Sequence, residues 1–146
     1  MISRKNIHGT QEVKPSTVEI NMDAVYIRSG IRQESVDMGD GVMADMWVYD
    51  EDQLDRSEYD QLLALTLVIP SDAWNEGLQT ASREARYKRM DGPEQSTRRR
   101  IELGIDVEAN QIKLNKILNY KQAVYETVNQ EGYPHNVPVY PPEPEI

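Results

Sequence analysis

Five prolines crowd the last thirteen residues of this chain: Pro134, Pro138, Pro141, Pro142 and Pro144. Proline lacks an amide hydrogen and fixes φ, so neither a helix nor an interior strand can hold such a stretch. Residues 118–130 just before it have the composition of a helix. Gly132 then stands where a helix end favours positive φ, and Pro134 blocks a restart. The predicted order is a helix, an abrupt stop, and an extended proline-rich strip over residues 133–146. Such a strip cannot satisfy its own backbone groups, so it stays in water or lies along a surface. Attachment is the function class this suggests. Tyr120 on the helix, then Tyr133, Pro134, Val137, Tyr140 and Pro141 on the strip, supply flat or apolar contact area, and a tyrosine can bury its ring while keeping a wet hydroxyl. Two competing readings are a solvated tail, which Glu143 and Glu145 would suit, and a strip folded back with Tyr133 over Val128 or Tyr125.

Upstream, the periodicity is that of strands. Val18, Ile20 and Met22 alternate with polar residues, and Val25, Ile27 and Ile31 continue the rhythm. Met38-Gly39-Asp40-Gly41 signals a turn. Residues 42–49 then read as a strand with Val42, Ala44, Met46 and Val48 on one face and Trp47 and Tyr49 on the other. Asp55 with Glu58, or Ser57 with Asp60, can cap a helix carrying Tyr59, Leu62, Leu63 and Leu67. Pro70 ends it. Ser71 or Asp72 caps a second helix through Trp74, Leu78, Ala81, Ala85 and Met90, stopped by Asp91-Gly92-Pro93. A short helix over 94–103 follows. Asp106 caps the last one, which carries Ala109, Ile112, Ile117, Val124 and Val128.

The reading is an α+β protein. It has a disordered N-terminus (1–15), a small antiparallel β unit with a docked helix (16–70), a helical region (71–132) and the extended tail (133–146). The apolar strand face should meet Leu62, Leu63 and Leu67. Trp47 and Tyr49 should form an aromatic strip, covered by the helical region or by a partner.

Composition narrows the function. Among 146 residues there is no cysteine, hence no disulfide and no thiolate metal site, and only two histidines, His8 and His135, far apart. The apolar run over 62–69 is far shorter than the roughly 20 residues a membrane helix needs. The N-terminus lacks a signal-peptide stretch. These features predict neither cofactor nor membrane partner, and a location in the cytoplasm when made. The net charge of −9 is uneven. Residues 1–80 hold 6 Lys/Arg against 15 Asp/Glu, residues 81–103 hold 7 against 4, and residues 104–146 hold 3 against 6. An acidic first half repels nucleic acid and suits a basic protein neighbour.

The end of the chain also carries a resemblance. Tyr120-Lys121-Gln122-Ala123-Val124-Tyr125, then Gln130-Glu131-Gly132-Tyr133-Pro134-His135-Asn136-Val137, then Tyr140-Pro141-Pro142-Glu143-Pro144, resembles the C-terminal signature of tailed-phage tail assembly chaperones. It covers only residues 116–145. The family's tryptophan before the proline is Tyr140 here, Pro138 is extra, and the tryptophan near the helix start is replaced by Ile117 or Leu118. The resemblance implies a non-enzymatic bacteriophage protein that binds tail, tail-fibre or baseplate proteins in the host cytoplasm and assists their assembly. The alternative is a virion structural protein of the baseplate or fibre attachment region; self-association fits either. Residues 26–31 with 46–51 also resemble small phage proteins encoded near tail-fibre genes.

Other clusters suggest less chemistry. Asp50-Glu51-Asp52 with Asp55 lacks the glycine and spacing of a calcium loop and reads as an acidic helix N-terminus. Arg98-Arg99-Arg100, with Lys88-Arg89 upstream, reads as a solvated helix face rather than a phosphate contact. No nucleophile, histidine triad or glycine-rich phosphate loop supports catalysis.

Overall fold

The computed structural model describes all 146 residues and has an α+β architecture. Four antiparallel strands form one sheet: β1 (Ile2–Gly9), β2 (Val18–Ile20), β3 (Ala24–Asp37) and β4 (Met43–Asp55), in the spatial order β1-β4-β3-β2. Four helices follow: α1 (Arg56–Leu63), α2 (Glu76–Arg89), α3 (Asp91–Glu102) and α4 (Val107–Tyr125). Residues 71–73 and 126–129 form 3₁₀ turns. No helix is long and apolar enough to cross a membrane.

The N-terminus departs from expectation. Residues 2–9 are not disordered but pair with β4 from Gln53 to Trp47. β1 has little apolar alternation of its own, so only its partner strand makes it legible. Beyond their predicted ends, β3 and β4 also run on. β4 crosses the acidic run 50–52 instead of yielding to a helix. The charges are tolerated there because each finds a partner. Glu51 accepts from Arg28 Nε at 2.9 Å, and Asp52 accepts from Asn75 Nδ2 at 2.6 Å and from Ser3. Only Asp55 serves a helix, through the predicted capping box with Glu58.

The sheet core comprises Val25, Ile27, Leu54, Leu62, Leu78 and Ala81, with Val18, Tyr59, Leu67, Ile69 and Trp74 at its margin. Val18 and the α1 leucine Leu62 belong to it as expected, but Ile20 and Val42 are exposed, and Met46 and Val48 are buried apart from it. The predicted apolar face therefore holds only in part, because the helices cover the Ala24–Ile27 end of the sheet rather than the hairpin end. α2 contributes two of the core residues, so the sheet core extends past residue 70. Gly77 permits this approach: an added Cβ would lie 3.0 Å from both Arg28 O and Ile27 Cγ2.

A second cluster joins Met90, Ile117, Tyr120 and Val124, with Tyr140 packed against it. α2 begins at Glu76, capped by Asn75, and not at Ser71, which leaves Trp74 before the helix. Asp91-Gly92-Pro93 does not separate two distant helices; α3 starts there directly, since Pro93 lies in a first turn whose amides lack helical partners anyway. α4 buries Asn110, Leu114, Ile117, Tyr120, Lys121 and Val124, while Ile112 and Ala109 face out.

Candidate functional site

The C-terminal strip is a strap laid along α2. Gly132 turns the chain at φ +77°, and Asn136 Nδ2 closes the turn by donating to Glu131 O at 2.9 Å. The strap begins in a turn, where His135 N and Asn136 N donate to Gly132 O at 2.9 and 3.1 Å, and glutamines serve its remaining backbone groups. Gln79 Nε2 donates to Pro134 O at 2.6 Å and to Asn136 O at 3.0 Å. Gln130 pairs with Val139 in both directions, at 2.6 and 2.9 Å. Three arginines of α2 continue the grip at helical spacing. The Arg83 guanidinium lies 5.4 Å from the Tyr133 ring centre, and Arg86 lies 4.0 Å from that of Tyr140. Arg89 forms two hydrogen bonds to the Glu143 carboxylate, at 3.0 and 3.3 Å. Gln79, Arg83, Arg86 and Arg89 stand at intervals of three or four residues, which places them along one helix stripe.

This arrangement fixes where each candidate contact residue lies. Tyr120 is buried in the second cluster, and Tyr140 packs against it. Tyr133, Pro134, Tyr140 and Pro141 are half-buried under the strap, whereas Val137 is exposed. Val139, beside it, is 75% exposed. On the sheet, Trp47 is half-buried and Tyr49 is buried at 6% exposure. Tyr49 therefore offers no aromatic strip to a partner. The chain covers it with its own residues: the Arg28 guanidinium is 5.2 Å from its ring centre, and an added Cβ on Gly9 would stand 3.4 Å from the ring. The strap does fold back, but onto α2 instead of over Val128 and Tyr125. The α2 arginines Arg83 and Arg86 were the missed residues. Their spacing with Gln79 was visible in the sequence, but nothing in it said what they would hold.

Polarity along the seam is incompletely matched. Trp74 Nε1, Gln79 Oε1, Arg83 Nη1, Arg86 Nε, Tyr120 Oη and Tyr140 Oη are buried with no hydrogen-bond partner in the chain. Burial pushes the Tyr140 phenol up from its ordinary value, against the opposing pull of the Arg86 and Arg83 charges. A cavity of about 170 Å³ opens beside the strap, lined by Leu62, Leu67, Trp74, Arg86, Pro138 and Tyr140 among others.

Next to the seam, Lys121 is held by Asp91 at 2.7 Å and Glu94 at 2.6 Å, with its ammonium 4.1 Å from the Tyr87 ring centre. Burial pulls the Lys121 pKa down, but the hydrogen bonds to both carboxylates outweigh it, and the net direction is up. Glu94 is lowered in return, chiefly by Lys121 and Arg98. The basic run on α3 points outward: Arg98 bonds Glu94 at 2.9 Å, and Arg99 is solvated. No group of three or more His, Asp or Glu side chains is arranged to hold a metal ion. The arrangement as a whole is one of ring stacking, amide pairing and charge pairing. These are means of holding polypeptide.

Comparison with known proteins finds no matching family model, no matching curated protein and no matching solved structure.

Proposed function

We propose that this chain is a non-enzymatic accessory protein of a bacteriophage tail, which binds tail or tail-fibre components during their assembly. One observation carries the reading: the segment that resembles tail assembly chaperones is also the segment held in a defined path across α2, with Val137 and Val139 directed outward. A proline-rich strip already ordered on its own protein loses less entropy when a partner docks. The contact surface is then the outer edge of the strap, not the tyrosines beneath it. The same anchoring suits a second reading, in which the protein remains in the virion as part of the baseplate or fibre attachment region.

The test is a double substitution, Val137→Asp with Val139→Asp, supplied to a phage lacking the gene. Both side chains are exposed, so the fold should change by no more than about 0.5 kcal/mol. Fibre-bearing virions should be lost while the melting temperature stays in place. Normal fibres in the presence of this variant would sink the reading. Mass spectrometry of purified virions separates the two forms of it: a stoichiometric protein is a virion component, and an absent one is a chaperone.

A further inference from the structure

Two exposed surfaces on opposite elements of this chain are complementary. The first is the tip of the β3–β4 hairpin. β2 stops pairing with β3 at Ile27, and β1 stops pairing with β4 at Trp47. Beyond that point the two strands continue alone, from Glu34↔Met46 to Asp37↔Met43. A two-stranded ribbon is marginal in water by itself. This one nonetheless ends in three exposed apolar side chains, Met38, Val42 and Met43, at 56%, 60% and 58% exposure. Its charges are all negative: Glu34, Asp37, Asp40 and Asp45, with no Lys or Arg between residues 33 and 46.

The second surface is a groove between α2, α3 and α4. Two adjoining hollows of about 320 and 560 Å³ share Tyr87 and Tyr125 as their common wall. Tyr125 is 68% exposed, and Leu118 opens beside it. Among the charged lining residues, Arg83, Lys88, Arg98 and Lys121 stand against Glu84 and Glu94. The groove is thus apolar and aromatic in the middle and carries a small excess of positive charge at its border, where Arg98 and Lys121 already pair with Glu94 and Asp91. Lys121 fixes the Tyr87 ring from behind, so part of the wall is already ordered.

We propose that the hairpin tip of one copy seats in the Tyr87–Tyr125 groove of a second copy. Methionine is flexible and makes favourable sulfur–aromatic contacts, so Met38 and Met43 suit a groove walled by tyrosines. Asp37, Asp40 and Asp45 then face a border of net positive charge, while Glu34 is already paired with Arg32 at 2.6 Å. Each copy would offer one tip and one groove. Used once per pair, the contact is heterologous and builds a closed ring or an open chain; exchanged reciprocally between two copies, it builds a two-fold dimer. Neither surface includes residues 133–146, although Arg83 serves both groove and strap and Tyr125 lies in the segment that carries the tail resemblance; sedimentation reads self-association independently of fibre assembly.

Two variants test it on the full-length protein. Met38→Glu with Met43→Glu spoils the tip, and Leu118→Glu with Tyr125→Glu spoils the groove. All four side chains are exposed, so melting temperatures should hold close to wild type, and circular dichroism checks this. Wild-type protein should sediment as a dimer or a larger species. Each variant alone should sediment as a monomer. An equimolar mixture should give a one-to-one dimer, because it retains one intact tip and one intact groove. Raising salt from about 0.05 to 0.5 M should weaken the wild-type assembly about tenfold or more, as screening removes the charge attraction. A monomeric wild type would overturn the proposal, leaving the groove to some other protein. So would a wild-type dimer that either variant leaves intact, or a mixture that stays monomeric.

Discussion

Arg28 in the sheet and Arg86 under the strap are both arginines drawn in against tyrosine rings, yet they are held differently. Arg28 is enclosed: its guanidinium bonds Glu51 at 2.9 Å, Glu19 at 2.7 Å and Ser16 O at 3.3 Å, between the rings of Tyr49 and Tyr26. Arg86 has the closer ring, Tyr140 at 4.0 Å, but its Nε is buried without a partner. The first is a neutralised charge, fixed by groups from several segments. The second grips chiefly through the face of an aromatic ring, which constrains position less. The contrast teaches that α2 has two unlike sides. Its sheet side is locked by shape and paired charge, and its strap side is held by contacts that can be released one at a time.

The largest effect should come from the locked side. Arg28→Met leaves the buried Glu51 with only Arg4, a half-exposed partner at 3.7 Å, and takes the ion pair from Glu19 as well. Breaking a buried pair costs about 3–5 kcal/mol, and the remaining Arg4 contact places this loss at the lower end. Arg86→Met removes a cation–π contact worth about 1–2 kcal/mol, and leaves no carboxylate stranded. Urea denaturation of both variants measures the difference. Equal losses would break the comparison and make the strap as integral as the sheet. An intermediate effect is expected from Gly77→Ala. Its new methyl would press on Arg28 O and Ile27 Cγ2, each 3.0 Å away, and overpacking of this kind costs about 1–3 kcal/mol. The strap should stay docked in that variant, with proteolysis of residues 133–146 no faster than in wild type. Rapid cleavage there would mean that the two sides of α2 are coupled.

What the sequence made legible follows the same division. The α+β class, the turn at 38–41, one of the two candidate caps at Asp55–Glu58 and the positive φ at Gly132 were readable because each is local chemistry: a turn dipeptide, a cap, a residue that accepts positive φ. The helix itself stops earlier than Gly132 implies, at Tyr125, and passes through a 3₁₀ turn to Asn129. β1 was not readable, since its residues take their order from β4. Nor was the run of β4 through Asp50, Glu51 and Asp52, which depends on Arg28 and Asn75, more than twenty residues away. The sequence pattern places Trp74 in a helix that begins two residues later, because Asn75 is the actual cap and only its hydrogen bond from Leu78 N distinguishes it. At the candidate site, the tyrosines and prolines of the strap could be named from the sequence. Their inward or outward facing could not, because this depends on which side of the strap meets Gln79, Arg83 and Arg86.

The smallest expected effect is a difference in how the two sides respond to pH. In the sheet, Glu19 is lowered from its ordinary value of 4.5, first by the hydrogen bond from Arg28 and then by that from Asn21. A carboxylate lowered on folding adds stability above its unfolded pKa and loses it as pH falls through the folded one. The sheet should therefore weaken on the acid side, below about 4.5, and modestly, because Glu19 is exposed. Tyr140 moves the other way. Burial raises its phenol above the ordinary 10.0, so the unfolded chain ionises first. Between the two values the native state binds more protons, and stability falls as pH rises. Lys121 is raised as well and loses its contribution in the same direction, above its ordinary 10.5. The strap should accordingly loosen at alkaline pH while the sheet holds. Trp74 fluorescence and cleavage of residues 133–146, followed from pH 8 upward, would report the release. Tyr140→Phe, which cannot ionise, should shift that release to higher pH. An unshifted release in this variant would assign the alkaline transition to Lys121 and its Asp91–Glu94 pair, outside the strap.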